Sequence, residues 1–292
     1  MAKRNSKSSP LTLTKLDPTL PALKLAGIKL YFRGGTSIAG EKFSRDAFIR
    51  LPEMVAGTDY GVSLDDGGFS VEPLVAVPSK KYFAGFHFAP GGNAPKYSGG
   101  NTTPAINPFS LWDLKHRPKC PDARGMAFIA PRNCWVDIYL TGVTIADGTS
   151  KCGVTIADGN DTPQNPAGGR YDKFDYATAQ TVMKHHGKTL LSIEDCFEAL
   201  IGVTEMTAYG SDPRVTGLDA LRTSKYGLMQ ATGNMWIWCH DGHPLVPRAS
   251  IAGGSWLGGG CAGSRYALVG RWPGVSDGSL GARGRGDHLQ LV

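Results

Sequence analysis

No run of 18 or more apolar residues occurs in the chain, which excludes a membrane-spanning helix. No C-x-x-C occurs either. The six cysteines stand at 120, 134, 152, 196, 239 and 261, an irregular spacing that gives no zinc-finger or thioredoxin pattern. They are expected to be small buried hydrophobes. There is no G-x-x-x-x-G-K-S/T, so no phosphate-cradling loop is present. No pair of carboxylates stands at a catalytic spacing. The first ten residues, MAKRNSKSSP, are basic but lead into no apolar segment, so a secretory signal peptide is not expected. Charge is scarce: 19% of residues are Asp, Glu, Lys or Arg, against about 25% in an average soluble protein.

The net charge of +6 is local. Residues 1–50 hold ten Lys/Arg and three Asp/Glu, and the remaining 242 residues sum to −1. A basic surface for nucleic acid therefore has little support. What the chain does have is glycine, 39 of its 292 residues, about twice the usual share of roughly 7%. Low charge, high glycine and 41% hydrophobic residues point to a loop-rich, β-rich body with a real core.

Residues 1–20 read as a basic flexible tail. Residues 21–76 read as a small β-rich N-terminal domain: the run 25–32 alternates in part and Gly34-Gly35 follows as a turn. Asp65-Asp66-Gly67-Gly68 marks another turn, and Val71–Val77 is a strand that Pro73 sends to an edge. From 77 onward the texture changes. Residues 82–88 are strand-like, 89–108 form a long Gly/Pro-rich loop, and 127–130 and 135–140 are further apolar segments. The heptapeptide 142–148 recurs at 153–159, which predicts two strands joined by a turn. Only two clear helices follow. Asp175 caps one over 176–186 closed by Gly187, and Ser192 caps another in which Ile193, Phe197, Leu200 and Ile201 share a face. Two short helices in such a chain predict an α+β fold rather than a parallel βαβ array.

Several motifs invite a functional reading and lose to a plainer one. Cys239-His240-Asp241-Gly242-His243 offers metal ligands but no second pair, so it reads as a polar loop. His185-His186 ends a helix, where positive charge suits the dipole. Arg285-Gly286-Asp287 spells an adhesive tripeptide that chance supplies readily.

The C-terminal third is the informative part. Residues 226–238, with Trp236 and Trp238, lead to Gly253-Gly254-Ser255-Trp256. Then come Gly263-Ser264-Arg265-Tyr266-Ala267, Pro273-Gly274, and Leu280-Gly281-Ala282-Arg283-Gly284, with Asp287-His288-Leu289 at the end. The glycine pair allows a sharp turn or a close backbone approach. Each Trp indole N–H wants a partner, and Arg283, in a near-apolar stretch, needs a buried acceptor.

This order resembles the formylglycine-generating-enzyme type of C-type lectin fold, over about residues 77–292 and most strongly from 171. The resemblance implies an α+β C-type lectin domain behind the small N-terminal one. The enzyme branch of that family carries a cysteine pair whose positions fall here on Gly258 and Gly263, and Cys261 stands at neither. Sugar binding through calcium needs E-P-N or Q-P-D with W-N-D, and none is present in the C-terminal third. The tail instead resembles the variable proteins of diversity-generating retroelements, with Gly286 and Pro273-Gly274 as departures from their pattern.

That second resemblance implies a binding protein with no catalytic residue, no metal and no cofactor. Its partner would be a protein or surface receptor. Its place would be the virion tail tip of a phage or the cytoplasm. Neither nucleic acid nor membrane insertion is expected. A homo-oligomer is left open, since residues 21–76 carry no heptads. In that family template adenines are copied with errors. An AAC codon then yields Leu, Gly, Cys, Val, Arg, Asp or Ser, but not Lys, Glu, Gln, Met or Trp. Residues 257–278 contain no Lys, Glu, Gln or Met.

Within a variable region of about 253–284, the positions expected to vary and to bind are Leu257, Gly258, Cys261, Leu268, Val269, Gly270, Arg271, Trp272, Gly274, Val275, Asp277 and Gly278. Trp272 would come from another template codon or lie outside the mutated set. Trp236, Trp238, Gly253, Gly254, Trp256, Arg265, Tyr266, Pro273, Gly281 and Arg283 would be the fixed scaffold. The competing expectation makes Leu268 and Val269 ordinary core strand. Two other functions stay in play: a relative of the formylglycine-generating oxidases, and a structural virion protein with no diversified face.

Overall fold

The structure, a computed structural model, describes residues 11–65, 68–75, 81–242 and 249–290. It is built from short antiparallel sheets and two helices, α1 (Tyr176–His185) and α2 (Ile193–Ala199). Among the described residues no helix is long and apolar enough to cross a membrane.

Two three-stranded sheets open the chain. One orders Leu13–Lys15, Thr36–Ile38 and Glu41–Phe43; the other orders Leu23–Ala26, Lys29–Phe32 and Ala47–Ile49. The run 25–32 is therefore two strands of a hairpin. Gly27, at φ +60°, turns the chain beside the exposed Ile28. A five-stranded sheet follows. Thr58–Asp65 pairs with Gly68–Pro73 on one side and Ala84–Ala89 on the other, and Ala84–Ala89 also takes up Ala105–Ile106 and Trp112–Asp113. Pro73 ends the edge strand, as its missing N–H requires. Val77, Asp66 and Gly67 lie outside the described residues.

Two expectations are corrected here. The segment 1–20 is not a tail throughout, because Leu13–Lys15 is a paired strand and Leu13 is buried. The Lys15 ammonium sits 2.9 Å from the buried Asp113 carboxylate, whose other hydrogen bonds hold the amides of Ala22, Lys115 and His116. A boundary at 76/77 would cut the five-stranded sheet. Tyr60 and Phe86, stacked 5.6 Å apart, share one core with Leu13, Phe32 and Ile49. The composition shift near 77 marks a change of loop texture, while the hydrogen bonding runs across it to Asp113.

The C-terminal half contains a sheet of Met126–Ile129, Cys134–Asp137 and Arg285–Asp287, and a four-stranded sheet ordered Ala267–Arg271, Ala249–Ala252, Trp236–Cys239, Leu280–Gly281. Only the last pair is parallel. Arg285-Gly286-Asp287 is thus a strand and not an adhesive loop. Gly286 is buried and Arg285 reaches Asp195 at 3.0 Å.

The repeat does not form two strands. Gly142 and Ile156 make one isolated bridge. The two copies take different conformations, since Gly148 and Gly153 have positive φ while their counterparts Gly159 and Gly142 do not. The turn between the copies uses the inner glycines of each.

Both helices start where their capping residues stand. The Asp175 carboxylate accepts from Thr178 N, and Gly187 follows α1 at φ +67°. Ser192 and Asp195 cap α2 reciprocally. The face of α2 differs from expectation: Cys196, Ala199 and Leu200 are buried, while Ile193, Phe197 and Ile201 are partly exposed. The middle strands of the sheet beneath α2 decide which stripe is covered.

Candidate binding face

The four-stranded sheet positions the site. Its edge strand, Ala267–Arg271, pairs with Ala249–Ala252 through Ala252↔Ala267, Ile251↔Leu268 and Ala249↔Arg271. Val269 and Gly270 on the edge strand thus oppose the single Ser250 on its neighbour, a β-bulge. A regular strand alternates faces. The extra residue breaks that alternation after Leu268, and Leu268 and Val269 are both exposed. They are 50% and 57% exposed, which rules out the core-strand expectation. Leu257 (67%) and Trp272 (54%) join them, and Gly270, Gly274 and Cys261 are exposed as well. Gly258, Arg271, Val275, Asp277 and Gly278 are half-buried. None of the positions expected to vary is buried.

The turn before this edge is held by backbone. Gly253 and Gly254 have φ of +91° and +82°, a region that side chains disfavour. A Cβ on Gly254 would lie 2.6 Å from the Ala262 Cα. Gly253 N–H donates to Tyr266 O, and Gly253 O accepts from Gly233 N and Gly263 N. Trp256 N–H donates to Asn234 O, and its indole N–H donates to Gly278 O at 3.2 Å. The Pro273 carbonyl accepts from Tyr176 N, so the far end of the face rests on α1.

Arg283 has acceptors for its two terminal nitrogens, while its Nε has no hydrogen-bond partner. It is fully buried and donates to the carbonyls of Asp137, Ile138, Met229 and Gln230. Burial pulls its pKa down to about 10, which leaves it cationic at neutral pH. Beside it, the Lys188 ammonium lies 2.6 Å from the buried Asp137 carboxylate, and Gly284 N–H donates to the other oxygen. Burial pushes the Asp137 carboxyl up from its ordinary value, against the pull of Lys188. Gly281 pairs with Ile237 and lies against Met235.

Other scaffold expectations need correction. Arg265 is exposed; it stacks its guanidinium over the Phe197 ring of α2 at 5.3 Å, so it clamps the turn from outside. Tyr266 is half-buried and contributes its carbonyl. Trp238 is buried, but its indole N–H finds no partner. Asp277 and Gly278, expected to vary, are tied into the support. The Asp277 carboxylate accepts from Ser279 N and Oγ and pairs with Arg271 at 3.0 Å, and its carbonyl accepts from Gly159 N. A Cβ on Gly278 would meet the Asn160 amide at 2.3 Å.

Several supports carried no mark in the sequence. The Glu205 carboxylate accepts from Ser264 N at 2.9 Å and Ser264 Oγ at 2.5 Å, pinning the turn from below. The Asp219 carboxylate takes both Asn234 Nδ2 and Arg222 Nε. Each is a lone polar residue in a loop, and only the fold brings it to its partner.

The 239–243 cluster does not converge on a metal. Cys239 is buried against Cys196, Asp241 accepts from Ile193 N at the start of α2, and His243 lies outside the described residues. Among the described residues no group of three His, Cys, Asp or Glu could hold a metal ion. Gly258 is half-buried and Gly263 buried, and Cys261 is exposed on the loop between them.

No family model matches the chain. The chain is 38% identical to the tail fiber receptor-binding protein of Bordetella phage BPP-1, over 86% of this chain and 76% of the relative. Among solved structures it superposes on the major tropism determinant I1 variant with a TM-score of 0.90 and 34% identity, covering 96% of this chain and 87% of that one. For the U1 variant the TM-score is 0.89 and the identity 33%, over 96% and 86%.

Proposed function

The chain belongs to the family of phage tail-fibre receptor-binding proteins that includes the major tropism determinants, and from that membership we propose that it binds a receptor on a host surface through the face formed by residues 257–278. It is a tail component of a phage, and its lectin-type fold serves as a binding platform. The partner is a protein or another exposed surface receptor. The residues that vary and contact it are Leu257, Gly258, Cys261, Leu268, Val269, Gly270, Arg271, Trp272, Gly274 and Val275, with Asp277 and Gly278 at the border.

One observation carries this reading. Leu257, Leu268, Val269 and Trp272 are large apolar side chains left exposed, while the backbone beneath is fastened by carbonyls, amides and buried polar groups. Exposed apolar patches of this kind mark partner sites, and Trp and Arg are the types enriched at binding hot spots. A surface whose side chains are not needed for folding can change them freely.

The test is sequencing of the gene's 3′ end in many clones of one culture. The expected result is a near-copy of the 253–284 coding segment beside a reverse transcriptase gene, with differences confined to template adenines. A single invariant copy with no template would leave the chain as an undiversified receptor binder and remove the diversification claim.

A further inference from the structure

Cys196 and Cys239 stand with their sulfur atoms 3.6 Å apart, and both are fully buried. They come from different elements. Cys196 lies in α2, and Cys239 ends the strand Trp236–Cys239 at the centre of the sheet that carries the binding face. The other cysteines are placed differently. Cys120 faces the Met126 sulfur at 3.7 Å, Cys134 is buried in the strand paired with Arg285–Asp287, Cys152 lies against Tyr139, and Cys261 is exposed.

A disulfide has its sulfurs about 2.05 Å apart, so an approach of about 1.6 Å would close this pair. Such a shift is within reach of small side-chain rotations at both residues. The hydrogen bond with Cys196, together with burial, pushes the Cys239 thiol well above its ordinary value. The pair lies in a core with Leu191, Leu200 and Ala252, where only a small oxidant can reach it.

We infer that Cys196 and Cys239 form a latent disulfide, a cross-link that a peroxide-class oxidant closes and that ties α2 to the sheet under the binding face. One peroxide molecule oxidises one thiol to a sulfenic acid and leaves as water. The second thiol attacks that sulfur, forms the S–S bond and releases a second water. Two thiols and one hydrogen peroxide thus give one disulfide and two waters, with no other reductant or oxidant needed.

The location gives the cross-link a consequence. From α2, Phe197 lies under the Arg265 guanidinium, and Leu200 Cδ1 stands 3.6 Å from where a Cβ on Gly253 would be. The helix is thus the underside of the turn that launches the face. Proteins on virion surfaces meet oxidising surroundings, where disulfides persist. The cross-link itself does not depend on what the face binds.

The bond would close a loop across a sequence separation of 43 residues. Constraining the unfolded chain over such a loop shifts the unfolding equilibrium by roughly 1000-fold toward the folded state. The test treats the full chain with hydrogen peroxide, blocks free thiols with an alkylating reagent and maps a non-reduced digest. Cys261 serves as the internal control, since an exposed thiol must react if the oxidant is active. The expected result is a linked Cys196–Cys239 peptide and a higher melting temperature that dithiothreitol reverses. Cys196→Ala and Cys239→Ala are each expected to abolish that rise. The map on the unsubstituted chain decides the matter even if a variant does not fold. Recovery of Cys196 and Cys239 as free thiols while Cys261 is oxidised would overturn the inference. So would their conversion to higher sulfur acids without a link, or a link without stabilisation.

Discussion

Replacing Arg283 by Met tests whether the scaffold rests on this buried side chain. The guanidinium joins two segments, 137–138 and 229–230, by donating to four carbonyls. Met fills much of the volume and donates nothing. Removing the charge leaves the Asp137–Lys188 pair neutral as a unit, so no orphaned ion adds to the loss. Each buried carbonyl left without a donor costs about 1–3 kcal/mol. Relief of the desolvated guanidinium and local relaxation offset part of that sum. The net loss works out at about 3–5 kcal/mol, and a chain of this size loses roughly 2–4 °C of melting temperature per kcal/mol. A midpoint lower by about 10 °C is therefore expected in thermal unfolding. Arg283→Lys keeps the charge, but its single ammonium is too compact to serve both segments, so it should fall between the two. An Arg283→Met midpoint within about 3 °C of the parent would refute the claim that these bonds hold the scaffold.

Substitutions on the face should behave in the opposite way. Val269→Asp and Trp272→Ala are expected to change stability by less than about 1 kcal/mol. The same two changes should weaken adsorption to the host by at least about 10-fold, measured by phage adsorption or by surface binding of the purified chain. Glu205→Gln removes a charged acceptor beneath the Ser264 turn. It should cost about 1.5–3 kcal/mol in urea unfolding, and an unchanged midpoint would mean that the turn holds itself. Burial holds the His116 ring at about 4, below its ordinary 6.5. Its contribution to stability is whole above pH 6.5 and is lost as pH falls toward 4, because only the unfolded chain takes up the proton in that window. The loss is up to about 3 kcal/mol. His116→Phe keeps the edge contacts with Phe128 and Trp135 and should flatten that part of the pH–stability profile. A profile with unchanged slope would place the acid sensitivity elsewhere, for instance at His186, which burial also lowers to about 4.

What was legible in the sequence had local causes. Asp175, Ser192 and Gly187 act on their own neighbours, so both helices could be read from their caps. Pro73 announces an edge because it lacks a donor. Gly253-Gly254 announces a backbone that side chains cannot follow. The long-range terms were not legible. The pairing of Thr58–Asp65 with Ala84–Ala89 carries the N-terminal part past residue 77, and nothing in the composition marks it. Glu205 finds Ser264 across 59 residues, and Asp219 finds Asn234 through a loop that the sequence leaves undescribed. The repeat at 142–159 misled because identical residues meet different neighbours. The face itself was visible through its resemblance, but the division of labour at its border was not. Asp277 and Gly278 look like variable positions until their contacts with Ser279, Trp256 and Gly159 are seen.

The bulge explains how an edge strand can serve as a changeable surface without inviting aggregation. A flat edge with Leu268, Val269 and Trp272 exposed would be a template for pairing with other strands. Here the extra residue twists the strand away from a regular ladder, and Arg271, paired with Asp277, places charge at its end. The consecutive residues Leu268, Val269 and Gly270 are then all exposed, which gives a partner more positions to meet per residue of strand. The same irregularity frees them from packing, because Ile251 and Ala252 on the neighbouring strand are already buried by the layer beneath. Variation at 268–270 therefore changes what the face presents while the hydrogen bonds of Gly253, Trp256 and Arg283 stay as they are. Deleting Gly270 should restore a regular register and turn one of the two apolar side chains inward. It should lower adsorption more than any single side-chain change there, with folding retained by circular dichroism. Adsorption kept at the parent level after that deletion would show that the side chains matter and the bulge does not.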